Sequence, residues 1–255
     1  MNYHNVLRIR NYLKQQILPR LQGFPVNINI NKKAIIDMTF QKLLLQSPAS
    51  FIDLGGVWGV NGAYTFYTLD HYTISQAYLV DTNLNDSVKK QQEQYPQLQL
   101  ISGNFGNADI IRRLQQVDAI FLFDILLHQV SPDWDEILEM YAPLTTCFVI
   151  YNQQFMASET TVRLLDLGKE EYFKNVPFSQ DLPLYRTLFE KMYEMNPEHQ
   201  RIWRDIHNVW QWGITDTDLR TKMQALGFTE KYYKNCGQFG KLTNFQNHAF
   251  IFKKS

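Results

Sequence analysis

The sequence predicts an α/β protein built on a doubly wound, mostly parallel sheet. Two observations carry that prediction. Between residues 51 and 152, five short apolar runs alternate with helical patterns, the arrangement of strands joined by crossover helices. The first of those runs, FIDL, feeds a glycine-rich turn (Gly55, Gly56, Gly59, Gly62) that opens into helical sequence. Glycine permits positive φ and close backbone approach, and a helix entered from such a turn presents free N–H groups.

The elements follow in chain order. Residues 5–22 carry a broken helical stripe ending near Pro19, and Ile35–Leu45 form a second stripe closing before Pro48, so 1–50 read as an N-terminal helical cap. FIDL is then strand one, and 59–75 a helix. AYLVD, ending in Asp81, is strand two, and 83–94 a polar-faced helix. LQLISGN (98–104) is strand three, followed by a short helix over 108–117 with Asn107 or Asp109 as its cap. DAIFLF (118–123) is strand four, 132–144 a helix opened by Pro132, and TCFVIYN (146–152) strand five.

The alternation lapses over 155–215, where helical segments around 159–175 and 184–196 precede the aromatic run WRDIHNVWQWGI, and this block reads as a helical insertion or lid. A helix over DTDLRTKMQALGF, capped by Gly227, leads to two strand-like runs, TEKYYKN and HAFIFKK. A loop holding Gly237 and Gly240 joins them, which makes the pair antiparallel and brings the strand total to seven. The expectation is one domain over 1–255, elaborated by the cap and the insertion.

Composition narrows the function classes. At 255 residues and 45% apolar, the chain has material for a sizeable core. Lys+Arg and Asp+Glu are balanced at 25 each, so no basic excess points to a nucleic acid. Cys147 and Cys236 lie far apart and outside metal-ligand spacing, which suits a reducing compartment. The N-terminal stretch has no signal-peptide core and no 18-residue apolar run occurs, so a cytoplasmic protein without a membrane span is expected. No metal cluster, Ser-His-Asp pattern or P-loop is present.

Four motifs in this order resemble those of the class I S-adenosylmethionine-dependent methyltransferases, over 51–152 closely and 216–254 loosely. The family's first motif is an acid, a hydrophobe, then G-x-G-x-G; Asp53-Leu54-Gly55-Gly56-Val57-Trp58-Gly59 matches it with Val57 in place of the middle glycine. Valine does not take positive φ cheaply, so the turn is expected to differ there or the cofactor to sit displaced. Asp81 matches the second motif, and Gly103-Asn104-Phe105 stands where an Asp and an apolar residue usually serve the adenine. The fourth, DAIFLFDILLHQVSP over 118–132, is similar to the family's D-x-I-x5-L-x-H run.

The resemblance implies a Rossmann-like sheet with an antiparallel last strand and S-adenosyl-L-methionine as cofactor. It implies cofactor contacts at Asp53, Gly55, Gly56, Gly59, Asp81, Thr82, Asn104, Phe105, Phe123 and Asp124. Asp81 would hold the ribose hydroxyls, with capping of the next helix its other open role. Asn104 and Phe105 would meet the adenine or be ordinary loop residues. His128 and Asp124 are the catalytic candidates, His128 as general base or else a packed histidine. Tyr151 and Asn152 would line the acceptor side, and His207 and Trp210 either bind substrate or pack the insertion. A methyltransferase with a small-molecule, saccharide or lipid-type acceptor is expected. A non-catalytic binder of the same cofactor and an NAD(P)-dependent oxidoreductase stay open beside it.

Overall fold

The computed structural model describes residues 28–44, 47–207 and 209–254. The stripe read over 5–22 lies outside them. The strands are β1 (Ala49–Leu54), β2 (Ile74–Asp81), β3 (Leu98–Ser102), β4 (Ala119–Phe123), β5 (Cys147–Phe155), β6 (Val162–Arg163), β7 (Met195–Asn196), β8 (Arg201–Ile202), β9 (Trp212–Gly213), β10 (Phe228–Phe239) and β11 (Leu242–Lys254). The helices are α1 (Ile30–Met38), α2 (Ala63–His71), α3 (Asp86–Gln92), α4 (Ala108–Ile111), α5 (Trp134–Tyr141), α6 (Lys169–Asn175), α7 (Pro183–Glu190) and α8 (Asp216–Ala225).

Seven strands form one sheet in the order β10-β11-β5-β4-β1-β2-β3. β1 and β2 pair in parallel, as do β2 and β3, while β11 runs antiparallel to β5 and to β10. The doubly wound sheet with an antiparallel last strand is therefore as the sequence predicts. Every residue of β4 and β5 is buried, which is why both read as apolar runs with little alternation at their starts.

The chain divides into two compact units, Met1–Phe121 and Leu122–Ser255. In the first unit, α1 starts earlier than its stripe because Asn29 caps it, accepting hydrogen bonds from the Asn31 and Lys32 N–H groups at 2.9 and 3.3 Å. Asp37 then accepts from the Tyr67 and Tyr72 hydroxyls at 2.7 and 2.6 Å, fastening α1 to α2 and its C-cap. The helix read over 59–75 begins only at Ala63, since Asn61 and Gly62 are both left-handed (φ 50° and 73°). The helix read over 108–117 shrinks to α4, whose Asn107 side chain accepts from the Asp109 N–H at 2.9 Å.

In the second unit the insertion is a mixed structure where helices alone were expected. Its ends are joined by β6 pairing with β9, Val162 opposite Gly213 and Arg163 opposite Trp212. α6 starts only after Gly168, whose φ of 86° stops the preceding turn, and α7 ends at Glu190 before the small β7–β8 hairpin. Tyr172, Tyr185, Leu188 and Trp210 give this region an aromatic core with Phe155 and Phe245 of the long strands. β10 and β11 run further than expected: Gly237 lies inside β10, and the reversal comes at Gly240, between Phe239 and Leu242. Among the described residues no helix is long and apolar enough to cross a membrane.

Candidate active site

In the first unit the glycine turn links β1 to α2. Gly55 and Gly59 are left-handed at φ 69° and 74°, so the conformational demand falls on either side of Val57 and not on it. Val57 is buried, and its N–H donates to Asp81 Oδ2 at 2.9 Å. The missing middle glycine therefore brings no left-handed strain. Gly56 is required for another reason. A Cβ there would sit 2.5 Å from Asp53 Cγ and 2.7 Å from Oδ1, so the turn closes directly over that carboxylate.

Asp53 is itself buried, and the Thr65 hydroxyl donates to its Oδ2 at 2.6 Å. Burial pushes its pKa up to about 7; the Thr65 hydrogen bond works against that and the nearby Asp81 charge adds to it. Asp81 ends β2 and clamps the turn. Its Oδ2 accepts from Val57 and Trp58 N–H at 2.9 and 3.2 Å, and its Oδ1 from Asn83 N–H at 2.8 Å. A carboxylate offers about four acceptor positions. Three of these are used by the backbone N–H groups of Val57, Trp58 and Asn83, which leaves one on Asp81. Beside it Thr82 is exposed. Asn104 forms a turn of its own, its side-chain oxygen accepting from Gly106 N–H at 2.8 Å, and Phe105 is buried behind it.

In the second unit, Phe123 is buried at the end of β4 and Asp124 follows it in the left-handed region, at φ 58°. Outside glycine that conformation is uncommon and points to a constrained position. The Asp124 N–H donates to Tyr151 O at 2.8 Å, and Gln153 Nε2 donates to Asp124 Oδ1 at 2.7 Å, and both help to hold it. The same Gln153 nitrogen reaches Asn247 Oδ1 at 3.2 Å. Tyr151 and Asn152 are buried inside β5, which runs three residues beyond the predicted end to Phe155.

His128 closes a short helical turn, Leu126–His128. Its Nδ1 faces Val209 O at 2.8 Å, so the neutral ring carries its proton there and Nε2 is the nitrogen left to take one. Burial holds its pKa below the usual histidine range. Burial, followed by the Arg201 charge, pushes the His207 pKa down to about 4. Trp210 packs against Phe239 and Phe245 in the core of the insertion.

No protein-family model matches the chain, and no curated protein matches its sequence. Solved structures do match. The 1,6-didemethyltoxoflavin-N1-methyltransferase of Burkholderia thailandensis, crystallised with 1,6-didemethyltoxoflavin and S-adenosylhomocysteine, has a TM-score of 0.56 at 14% identity, over 99% of this chain and 89% of its own. The N-terminal domain of EvdMO1 with S-adenosylhomocysteine gives 0.58 at 10% identity, over 100% and 98%. The magnesium protoporphyrin IX methyltransferase of Synechocystis PCC 6803 gives 0.51 at 12% identity, over 100% and 96%. The chain has the class I methyltransferase fold.

Within that methyltransferase fold, sequence reasoning missed several residues that build the site. Thr65, the partner of Asp53, sits in a helix whose sequence sets no hydroxyl apart. Gln153 did have a signal: three consecutive amides, Asn152-Gln153-Gln154, close an otherwise apolar strand. Arg201, Gln211 and Trp212 tie down the loop after β4. Gln211 N–H donates to Leu127 O at 3.0 Å, Trp212 Nε1 to Gln129 O at 2.5 Å, and Arg201 to Val130 O and Ser131 O at 2.8 and 3.2 Å. No local pattern announces such long-range contacts.

Proposed function

We propose that the protein is an S-adenosylmethionine-dependent methyltransferase acting on a small-molecule, saccharide or lipid-type acceptor. The observation that carries this reading is Asp81, which in a methyltransferase fold clamps the glycine turn and keeps one acceptor position in reserve. Matched structures with 1,6-didemethyltoxoflavin bound or with D-fucose present support a small acceptor. An oxidoreductase reading gains no such support.

The donor brings an electrophilic methyl on sulfur; the chain's task is to hold the partners in line. In the first unit, Gly55, Gly56 and Gly59 let the backbone approach the donor, Asp81 accepts a ribose hydroxyl, and Asn104 with Phe105 takes the adenine edge and face. In the second unit, Phe123 and the constrained Asp124 serve the methionine side. His128 holds Nε2 free to receive a proton if the acceptor must lose one, and Tyr151 with Asn152 backs the acceptor side.

Calorimetry with S-adenosylhomocysteine and with NAD tests the reading: the first binds and the second does not. Asp81→Ala weakens S-adenosylhomocysteine by about 1–3 kcal/mol, the range for a lost hydrogen bond to a charged group. Unchanged affinity in the folded variant removes Asp81 from the site, and binding of neither ligand overturns the proposal.

A further inference from the structure

Gln153 is buried inside β5, yet its side-chain amide is directed at two polar neighbours. The nitrogen carries two protons, and two acceptors lie within reach, Asp124 Oδ1 at 2.7 Å and Asn247 Oδ1 at 3.2 Å. The contact with Asn247 follows from the sheet, because the two residues stand directly opposite in the β5–β11 register and share a face. Asn247 Nδ2 in turn faces the carbonyls of Gly237 and Gln238, at 3.4 and 3.5 Å. There β10 slips its register against β11, with Gly237 left-handed at φ 91°. A bulge disrupts the ladder locally, which is how two strand carbonyls come to face a side chain.

The Asp124 carboxylate sets the direction of this relay. Turning the Gln153 amide over would set its oxygen against a carboxylate oxygen, and turning Asn247 over would set two amide nitrogens together. The amides are therefore oriented by the charge at one end, and they hold that charge in return. Packing alone does not call for them: the neighbouring pairs on the same face are Tyr151 with Ala249 and Phe155 with Phe245. What the amides add is a single direction for the Asp124 side chain, whose backbone is already constrained at φ 58°. A strained position of this kind persists where its surroundings over-determine it.

We infer that Gln153, backed by Asn247, is a positioning residue that aims the Asp124 carboxylate at the ammonium group of the methyl donor. The inference rests on the methyltransferase reading, in which Asp124 serves the methionine side. S-adenosylmethionine carries two cations, a sulfonium and an ammonium, and only the ammonium has N–H groups to donate to a carboxylate. Gln153 acts through Asp124, so its removal is felt only by a ligand that bears the ammonium.

The test is calorimetry on the full chain with S-adenosylhomocysteine and with its deamino analogue, 5′-S-(3-carboxypropyl)-5′-thioadenosine, which lacks only the ammonium. The wild type should bind S-adenosylhomocysteine the more tightly. Gln153→Met keeps the size and removes the donor. It should weaken S-adenosylhomocysteine about tenfold, as expected for about one hydrogen bond to a charged group. The analogue should stay within about twofold, the range of uncoupled groups. A merely structural Gln153 would weaken both ligands alike, and that result, or no loss in the folded variant, overturns the inference. Asn247→Leu breaks the relay one link further out and should give a smaller loss with the same selectivity. It carries the test if Gln153→Met does not fold, and an unselective loss or none overturns the inference there too. Equal affinity of the wild type for the two ligands overturns it without any variant. If the wild type binds neither, the methyltransferase reading fails and this inference with it; if S-adenosylhomocysteine binds without the predicted selectivity, only the role of Gln153 is lost.

Discussion

In the first unit the two buried carboxylates of the turn are both engaged: Asp53 by the Thr65 hydroxyl, Asp81 by three backbone N–H groups. In the second unit, buried polar atoms of Asn152, Gln154, Arg163, Arg204 and His207 lack a protein partner. Among the described residues, every such side-chain atom lies after Phe121. An engaged polar group fixes a backbone, whereas an unengaged one carries a desolvation cost until something meets it. The turn is thus built in its working shape. The region after β4 instead carries the buried polar atoms without a protein partner, and with them that desolvation cost.

The sharpest way to break that comparison is to titrate Asp53. Its pKa of about 7 in the folded protein exceeds the 3.8 of a free carboxyl, so the folded state keeps a proton that the unfolded chain releases across this window. Stability therefore falls as pH rises from about 4 to about 7, on the order of 4 kcal/mol at about 1.4 kcal/mol per unit. Asp53→Asn keeps an acceptor for Thr65 and cannot ionise, so its urea-unfolding free energy should lack that slope. Parallel pH profiles for the two proteins would show that the carboxylate is not held as described. Next in size is Gly56→Ala, whose new Cβ has no room above the Asp53 carboxylate. Overpacking of this kind costs about 1–3 kcal/mol, and a loss of less than ~0.5 kcal/mol on urea unfolding would mean that the turn yields easily.

How much of this was legible in the sequence depends on the range of the interactions involved. The first five strands came from local apolar runs, because β4 and the Cys147–Tyr151 stretch of β5 are buried and apolar. Asp81 was legible as a site residue and illegible as a clamp. Its partners are backbone N–H groups of Val57 and Trp58, and no side-chain pattern records a main-chain donor. Val57 looked like a defect because a motif was compared position by position, whereas the left-handed φ values fall on Gly55 and Gly59. β5 was ended at Asn152 because amides follow an apolar run there. The strand continues because β11 pairs along its whole length, Phe245 opposite Phe155. Likewise the two-residue pair of β6 and β9 joins positions some fifty residues apart, beyond any local period.

The smallest expected effect tests the second half of the comparison directly. Gln154 is fully buried in β5, and neither its Oε1 nor its Nε2 has a protein partner. Methionine has nearly the same length and volume and adds no polar group, so Gln154→Met leaves the packing in place and removes the unmatched amide. Replacing an unmatched buried polar group with an apolar one of the same shape should stabilise the protein, here by about 1 kcal/mol. Chemical denaturation at neutral pH reads this as a higher midpoint with an unchanged slope. The opposite sign would mean that the amide is hydrogen-bonded in solution, and the second unit would then be as fully engaged as the turn.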